Sequence, residues 1–98
     1  MTASDSVELV PMTAAEYEEF LHREIAGYAE ENVRAGRWDA AGSLERAREE
    51  FRRLLPQGRE SPQNYLFTIR TKPDRVSAGN LWLAVTGESA FVYDLWVV

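Results

Sequence analysis

Residues 90–98, AFVYDLWVV, constrain this chain more than any other stretch. Eight of the nine are apolar and only Asp94 is charged, so a strand built from them would keep both of its faces out of water. Such a strand is expected in the middle of a structure. Here it is the last segment of the sequence, with no following residues to supply a helix or a neighbouring strand.

The whole chain, residues 1–98, is long enough for one domain with a modest core. Three Trp, four Tyr and four Phe within a 45% hydrophobic composition speak for a folded protein. No apolar run approaches the roughly 18 residues of a membrane span. The start, MTASDSVE, lacks the basic and apolar regions of a signal peptide. These features point to a soluble, cytoplasmic protein without a membrane partner. With no Cys and a single His, His22, neither thiol chemistry nor a metal site is expected. Sixteen acidic against eleven basic residues give a net charge of −5, which repels phosphate backbones and argues against nucleic acid as a partner.

Val7 and Leu9 alternate with polar residues, a short first strand that stops at Pro11. Thr13 and Glu16 have the spacing of a capping box, so a helix is expected from Ala14. Its apolar stripe is Tyr17, Phe20, Leu21, Ile25 and Tyr28, and Gly36 is its stop. Glu24 and Asn32 fall inside this stripe. Each reads as a boundary residue with its head in water or as a polar group serving a cavity, since burial without a partner costs roughly 1–3 kcal/mol. His22 lies off the stripe and reads as a surface residue.

Arg37, Trp38 and Asp39 connect to a second helix, with Asp39 or Ser43 as its expected N-cap. Ala40, Leu44, Ala47, Phe51, Leu54 and Leu55 mark its buried face, and Pro56 and Gly58 end it. Arg46, Arg48, Arg52 and Arg53 interleave with Glu45, Glu49 and Glu50, the pattern of a solvated face rather than an anion site. From Tyr65 the period becomes two: Tyr65, Phe67 and Ile69 alternate with Leu66, Thr68 and Arg70. After a turn containing Lys72, Pro73 and Asp74, Leu81, Leu83 and Val85 alternate with Trp82, Ala84 and Thr86. A turn at residues 86–89 leads into the last strand, where simple alternation points Phe91, Tyr93, Leu95 and Val97 one way and Val92, Trp96 and Val98 the other. The expected fold is α+β, in the order β-α-α-β-β-β, with an antiparallel sheet and two helices.

That order resembles the N-terminal half of the GNAT superfamily of N-acetyltransferases over nearly the whole chain. The likeness rests on Tyr28-Ala29, Asn32-Val33, Ala35-Gly36-Arg37-Trp38, the Leu54-Leu55-Pro56-x-Gly58 helix end, Ser61-Pro62 and the strand AFVYDLWVV, which is similar to the fourth strand of that fold. The resemblance implies transfer of an acetyl group from acetyl-CoA to an amine. It implies backbone contacts to the cofactor from Leu95, Trp96 and Val97, and an acceptor wall built from Tyr28, Asn32, Trp38, Trp82 and Tyr93. Aromatic side chains at such positions also serve as core. Asp94 is implied as a proton acceptor, with an ion pair to Arg70 or Arg37 as its other reading.

In that family the pyrophosphate sits on a loop of the pattern R/Q-x-x-G-x-G/A at a helix N-terminus. No two of the six glycines here have the G-x-G spacing. The chain is therefore expected to be inactive alone, binding acetyl-CoA weakly, and to associate through residues 90–98 as a homodimer or with a C-terminal half. A non-enzymatic interaction or dimerisation module of the same descent is the alternative, and an unrelated α+β binding protein a third.

Overall fold

The computed structural model describes residues 6–72 and 74–97. The elements run β1 (Val7–Pro11), α1 (Ala14–Arg34), α2 (Ser43–Leu54), a 3-10 turn (Gly58–Glu60), β2 (Asn64–Thr71), β3 (Ser77–Thr86) and β4 (Ser89–Val97). The four strands form one antiparallel sheet in the order β1-β2-β3-β4. This is the expected α+β arrangement. Pro73 of the expected turn and Val98 of the expected last strand lie outside the described residues. Among those described, no helix is long and apolar enough to cross a membrane.

Local chemistry sets the limits of α1. Thr13 Oγ1 accepts from the Glu16 amide at 3.1 Å and Glu16 Oε1 accepts from the Thr13 amide at 2.9 Å, which satisfies two orphan donors at once. At the other end the Arg37 amide donates to the Asn32 carbonyl and the Gly36 amide to the Val33 carbonyl, the paired closure of a Schellman motif with Gly36 in the left-handed position. The entry to α2 departs from expectation. Neither Asp39 nor Ser43 caps it; the N-cap is Gly42, with φ +77 and no side-chain cap bond. A tight turn closed by the Ser43 amide on the Ala40 carbonyl leads into the helix, and its left-handed residue favours glycine over a capping side chain.

Met12, Tyr17, Phe20, Ile25, Ala29, Ala47, Phe51, Leu55, Leu66 and Trp82 form the core between the helix pair and one face of the sheet. The α2 stripe is narrower than its sequence suggests. Ala47, Phe51 and Leu55, each four residues apart, are buried, whereas Leu44 and Leu54 are exposed and Ala40 lies before the helix. The solvated face of α2 carries ion pairs at i,i+3, Arg48 with Glu45 and Arg52 with Glu49.

The strand β4 does not alternate simply. Trp82 pairs with Asp94 and Leu83 with Val92, so Tyr93 is an extra residue in a β-bulge. Tyr93 stacks on Trp82 and Trp96 lies beneath Arg23, both on the helix side. The strand thus turns Phe91, Tyr93, Asp94 and Trp96 toward the helices and Val92, Leu95 and Val97 toward the uncovered face, which corrects the grouping of Tyr93 with Leu95 and Val97. Gly79 makes the pairing feasible, because a Cβ there would meet the Trp96 carbonyl oxygen at 2.0 Å.

Candidate functional site

A cleft of about 440 Å³ opens between α1, the end of α2 and the bulge of β4. On α1 it is lined by Glu24, Gly27, Tyr28 and Glu31, whose i, i+3, i+4, i+7 spacing places them on one helix face. The opposite walls are Phe51 and Leu54 of α2, Trp82 of β3, and Tyr93 and Asp94 of β4. Gly27 leaves the α1 wall low, since nothing lies within 4 Å of where its Cβ would be.

Four of these side chains form a continuous aromatic wall. Tyr28 meets Phe51 edge-on at 5.8 Å between centroids, Phe51 meets Trp82 at 5.9 Å, and Trp82 stacks on Tyr93 at 4.7 Å and 20°. The Trp82 indole N–H donates to Asn64 Oδ1 at 2.9 Å, which fixes the ring and satisfies its one donor. Trp38 stands behind this wall, edge-on to Tyr28 at 5.4 Å and covered by the Arg46 guanidinium at 4.6 Å.

Two carboxyl groups face each other in the cleft. The bulge swings Asp94 toward α1, where it lines the same cleft as Glu24. Burial first, then hydrogen bonding to Asp94 and its charge, push the Glu24 carboxyl up to about 8 from an ordinary 4.5, while the charge of Arg23 lowers it. Glu24 therefore keeps its proton near neutrality. Arg23 does not close an ion pair with it, because its guanidinium donates to Asn80 Oδ1 and lies 5.1 Å from the Trp96 ring centre. The alternative partners of Asp94 are also engaged elsewhere: Arg70 bridges to Glu16, and Arg37 Nε donates to Asn32 Oδ1 at 2.8 Å. The ion-pair reading of Asp94 is thereby replaced by a carboxyl pair. Glu24 is a cleft residue rather than one with its head in open solvent.

Of the residues singled out in the sequence, Tyr28, Trp82, Tyr93 and Asp94 come together in the cleft. Asn32 does not reach it. It is buried, its Nδ2 donates to the Tyr28 carbonyl at 2.9 Å and its Oδ1 receives Arg37, so both ends of its amide tie off α1. Gly27, Glu31, Phe51 and Leu54 were not singled out as cleft residues. The α1 members carry a trace of it, a helix face holding two carboxylates, a Tyr and a Gly at helical spacing. Leu95, Trp96 and Val97 follow the bulge on β4, which is hydrogen-bonded to β3 on one side only, so their outward backbone groups form an open sheet edge.

No protein-family model matches the chain. It is 31% identical over 93 residues to the uncharacterized N-acetyltransferase YycN of Bacillus subtilis, a match that covers 91% of this chain and 59% of that protein. With YdgE of the same organism, also an uncharacterized N-acetyltransferase, it shares 28% identity over 90 residues, covering 88% of this chain and 57% of that one. The crystal structure of Bacillus subtilis YycN superposes with a TM-score of 0.85 at 30% identity, over 95% of this chain and 61% of its own. The chain thus shares sequence and fold with proteins named N-acetyltransferases, and it spans a little under three fifths of the curated relatives' length. The resemblance seen in the sequence and its partial-domain character both agree with these matches.

Proposed function

We propose that this partial-length relative of N-acetyltransferases forms the acceptor-side portion of an acetyltransferase, and that the cleft at the β4 bulge receives the amine. The observation that carries this reading is the convergence of Glu24 and Asp94 at the end of an aromatic wall. An incoming ammonium must lose a proton before its nitrogen can attack a carbonyl. Glu24, half-buried beside Asp94 and raised to about 8, is suited in its ionised form to accept it. Tyr28, Phe51, Trp82 and Tyr93 flank the nitrogen's carbon chain and exclude water, which favours one orientation.

Acetyl-CoA supplies the thioester carbonyl when bound. The open edge of β4 fits the amide-bearing arm of that molecule, since backbone groups of alternate residues along Leu95, Trp96 and Val97, one to three residues beyond Asp94, face away from β3. The sequence contains no R/Q-x-x-G-x-G/A loop to seat the pyrophosphate at a helix N-terminus. The cofactor is therefore held incompletely by these elements, and the chain by itself is inactive.

A thiol-release assay with acetyl-CoA and a panel of amines tests this reading. The expected result is no turnover above buffer by the 98-residue chain. Turnover well above buffer, or micromolar binding of acetyl-CoA in calorimetry, would overturn it. The uncovered apolar face and open edge of β4 favour association as a second property of the same chain, with another copy as the partner.

A further inference from the structure

We propose that the cleft takes a linear polyamine, an acceptor bearing a second positive charge beyond the nitrogen to be acetylated. This rests on the reading of the cleft as an amine site and names its substrate class. A monoamine needs one carboxyl group and one apolar wall. The cleft offers more: Glu24 and Asp94 together at one point, and Glu31 two turns away on the same face of α1. Seven residues of helix separate Glu24 from Glu31, about 10 Å along the axis, so two ammonium groups joined by a short methylene chain can each meet a carboxylate. Between them the wall is aromatic, with Tyr28, Phe51, Trp82 and Tyr93 presenting rings to methylenes and to the flanks of a cation.

The charged and titratable groups facing Glu24 are Arg23, Tyr28 and Glu31 on α1 and Tyr93 and Asp94 on β4. The lining residues of α2 and β3 are Phe51, Leu54 and Trp82, which carry no charge. Arg23 is hydrogen-bonded to Asn80 and forms no ion pair with either carboxyl group, though its charge still acts on Glu24. An arriving ammonium also favours the ionised form of Glu24. Binding near pH 7 is then accompanied by release of a proton, and affinity rises as the pH is taken from 7 to 8.5.

The test is calorimetric titration of the 98-residue chain with spermidine and with butylamine, at pH 7 in two buffers of different ionisation enthalpy. Spermidine is expected to bind at least about tenfold more tightly than butylamine, with buffer-dependent heats that reveal proton release. Glu31→Gln should remove that preference and leave butylamine binding unchanged. Gly27→Leu, whose side chain has open space and raises helix propensity, should fill the cleft and abolish binding of both amines. Glu88→Gln, at the β3–β4 turn, should change nothing. Equal affinity for the two amines overturns the polyamine assignment and leaves the amine site standing. Equal losses in Glu31→Gln and Glu88→Gln trace the preference to net charge and also overturn it. Failure of both amines to bind overturns both readings.

Discussion

At the scale of single residues, two glutamates on α1 make opposite contributions to stability as pH changes. Glu16 is held below the ordinary carboxyl value of 4.5: burial alone would raise it, but the Thr13 amide and the Arg70 guanidinium outweigh that. Its stabilising contribution is present above the unfolded value and lost as pH falls through the depressed one. Glu24 is raised to about 8. The fold prefers its protonated form, so its contribution is full below about 4.5 and is lost as pH rises through 8. Replacing Glu24 with Gln keeps the shape and the donor and removes the ionisation. Glu24→Gln is therefore expected to stabilise the chain at pH 8.5 by about 1 kcal/mol, a melting shift of roughly 4–8 °C, after allowance for solvent screening in an open cleft. At pH 4 the variant and parent should melt together. A thermal melt series from pH 4 to 9 measures this, and parallel curves for the two proteins would show that Glu24 is not held in its protonated form. The sequence left Glu24 undecided because helical angle alone sets it at the border of a stripe. What decides it is Asp94, seventy positions along the chain and invisible to any local pattern.

At the scale of elements, the pieces with a local chemical cause were legible. The capping box, the Gly36 stop and the change of period at β2 each follow from neighbouring side chains or glycines, and each appears where the sequence puts it. The entry to α2 was misread because several cap-forming residues precede it, and a backbone turn took their place. The bulge in β4 had no visible trace at all. In a strand apolar on both faces there is no polar alternation to mark a change of phase, so the side assigned to Tyr93 and to every residue after it depends on pairing alone. That one extra residue builds the site, since it turns Tyr93 and Asp94 to the same side. The pairing beyond the bulge depends on Gly79, opposite Val97 and against the Trp96 carbonyl. A methyl group there requires β4 to move away from β3, at about 1–3 kcal/mol for overpacking against a backbone. Gly79→Ala is expected to lower the unfolding midpoint in urea accordingly and to speed amide exchange across Asp94, Leu95, Trp96 and Val97 before other strands. An unchanged midpoint would mean that the two strands do not approach so closely.

At the scale of the molecule, one layer of helices covers one face of the sheet and leaves the other bare. Val7 and Leu9 of β1, Tyr65 of β2, and Val92, Leu95 and Val97 of β4 all point to that bare face and are each about half exposed or more, from 49% for Leu9 to 60% for Val92. Burying a side chain of this size is worth roughly 1.5–3 kcal/mol, so six of them half-covered forgo an amount comparable to the stability of a small domain. The outer edge of β4 adds unpaired backbone groups to the same region. In a solution of this chain alone, a second copy can satisfy the edge, with β4 antiparallel to its symmetry mate beyond the bulge, and its side chains cover those of Val92, Leu95 and Val97 along the seam. The net charge of −5 opposes that contact, and salt screens it. The chain is expected to sediment as a homodimer at micromolar concentration, more tightly at 0.5 M than at 0.05 M salt. Because Trp96 is turned toward Arg23 on the helix side, the informative substitution is on the bare face. Val97→Lys should shift the equilibrium toward monomer, and Trp96→Lys should do so less. A monodisperse monomer for the parent at every salt concentration would show that the bare face is tolerated in water. A dimer indifferent to Val97→Lys would place the contact elsewhere on the molecule.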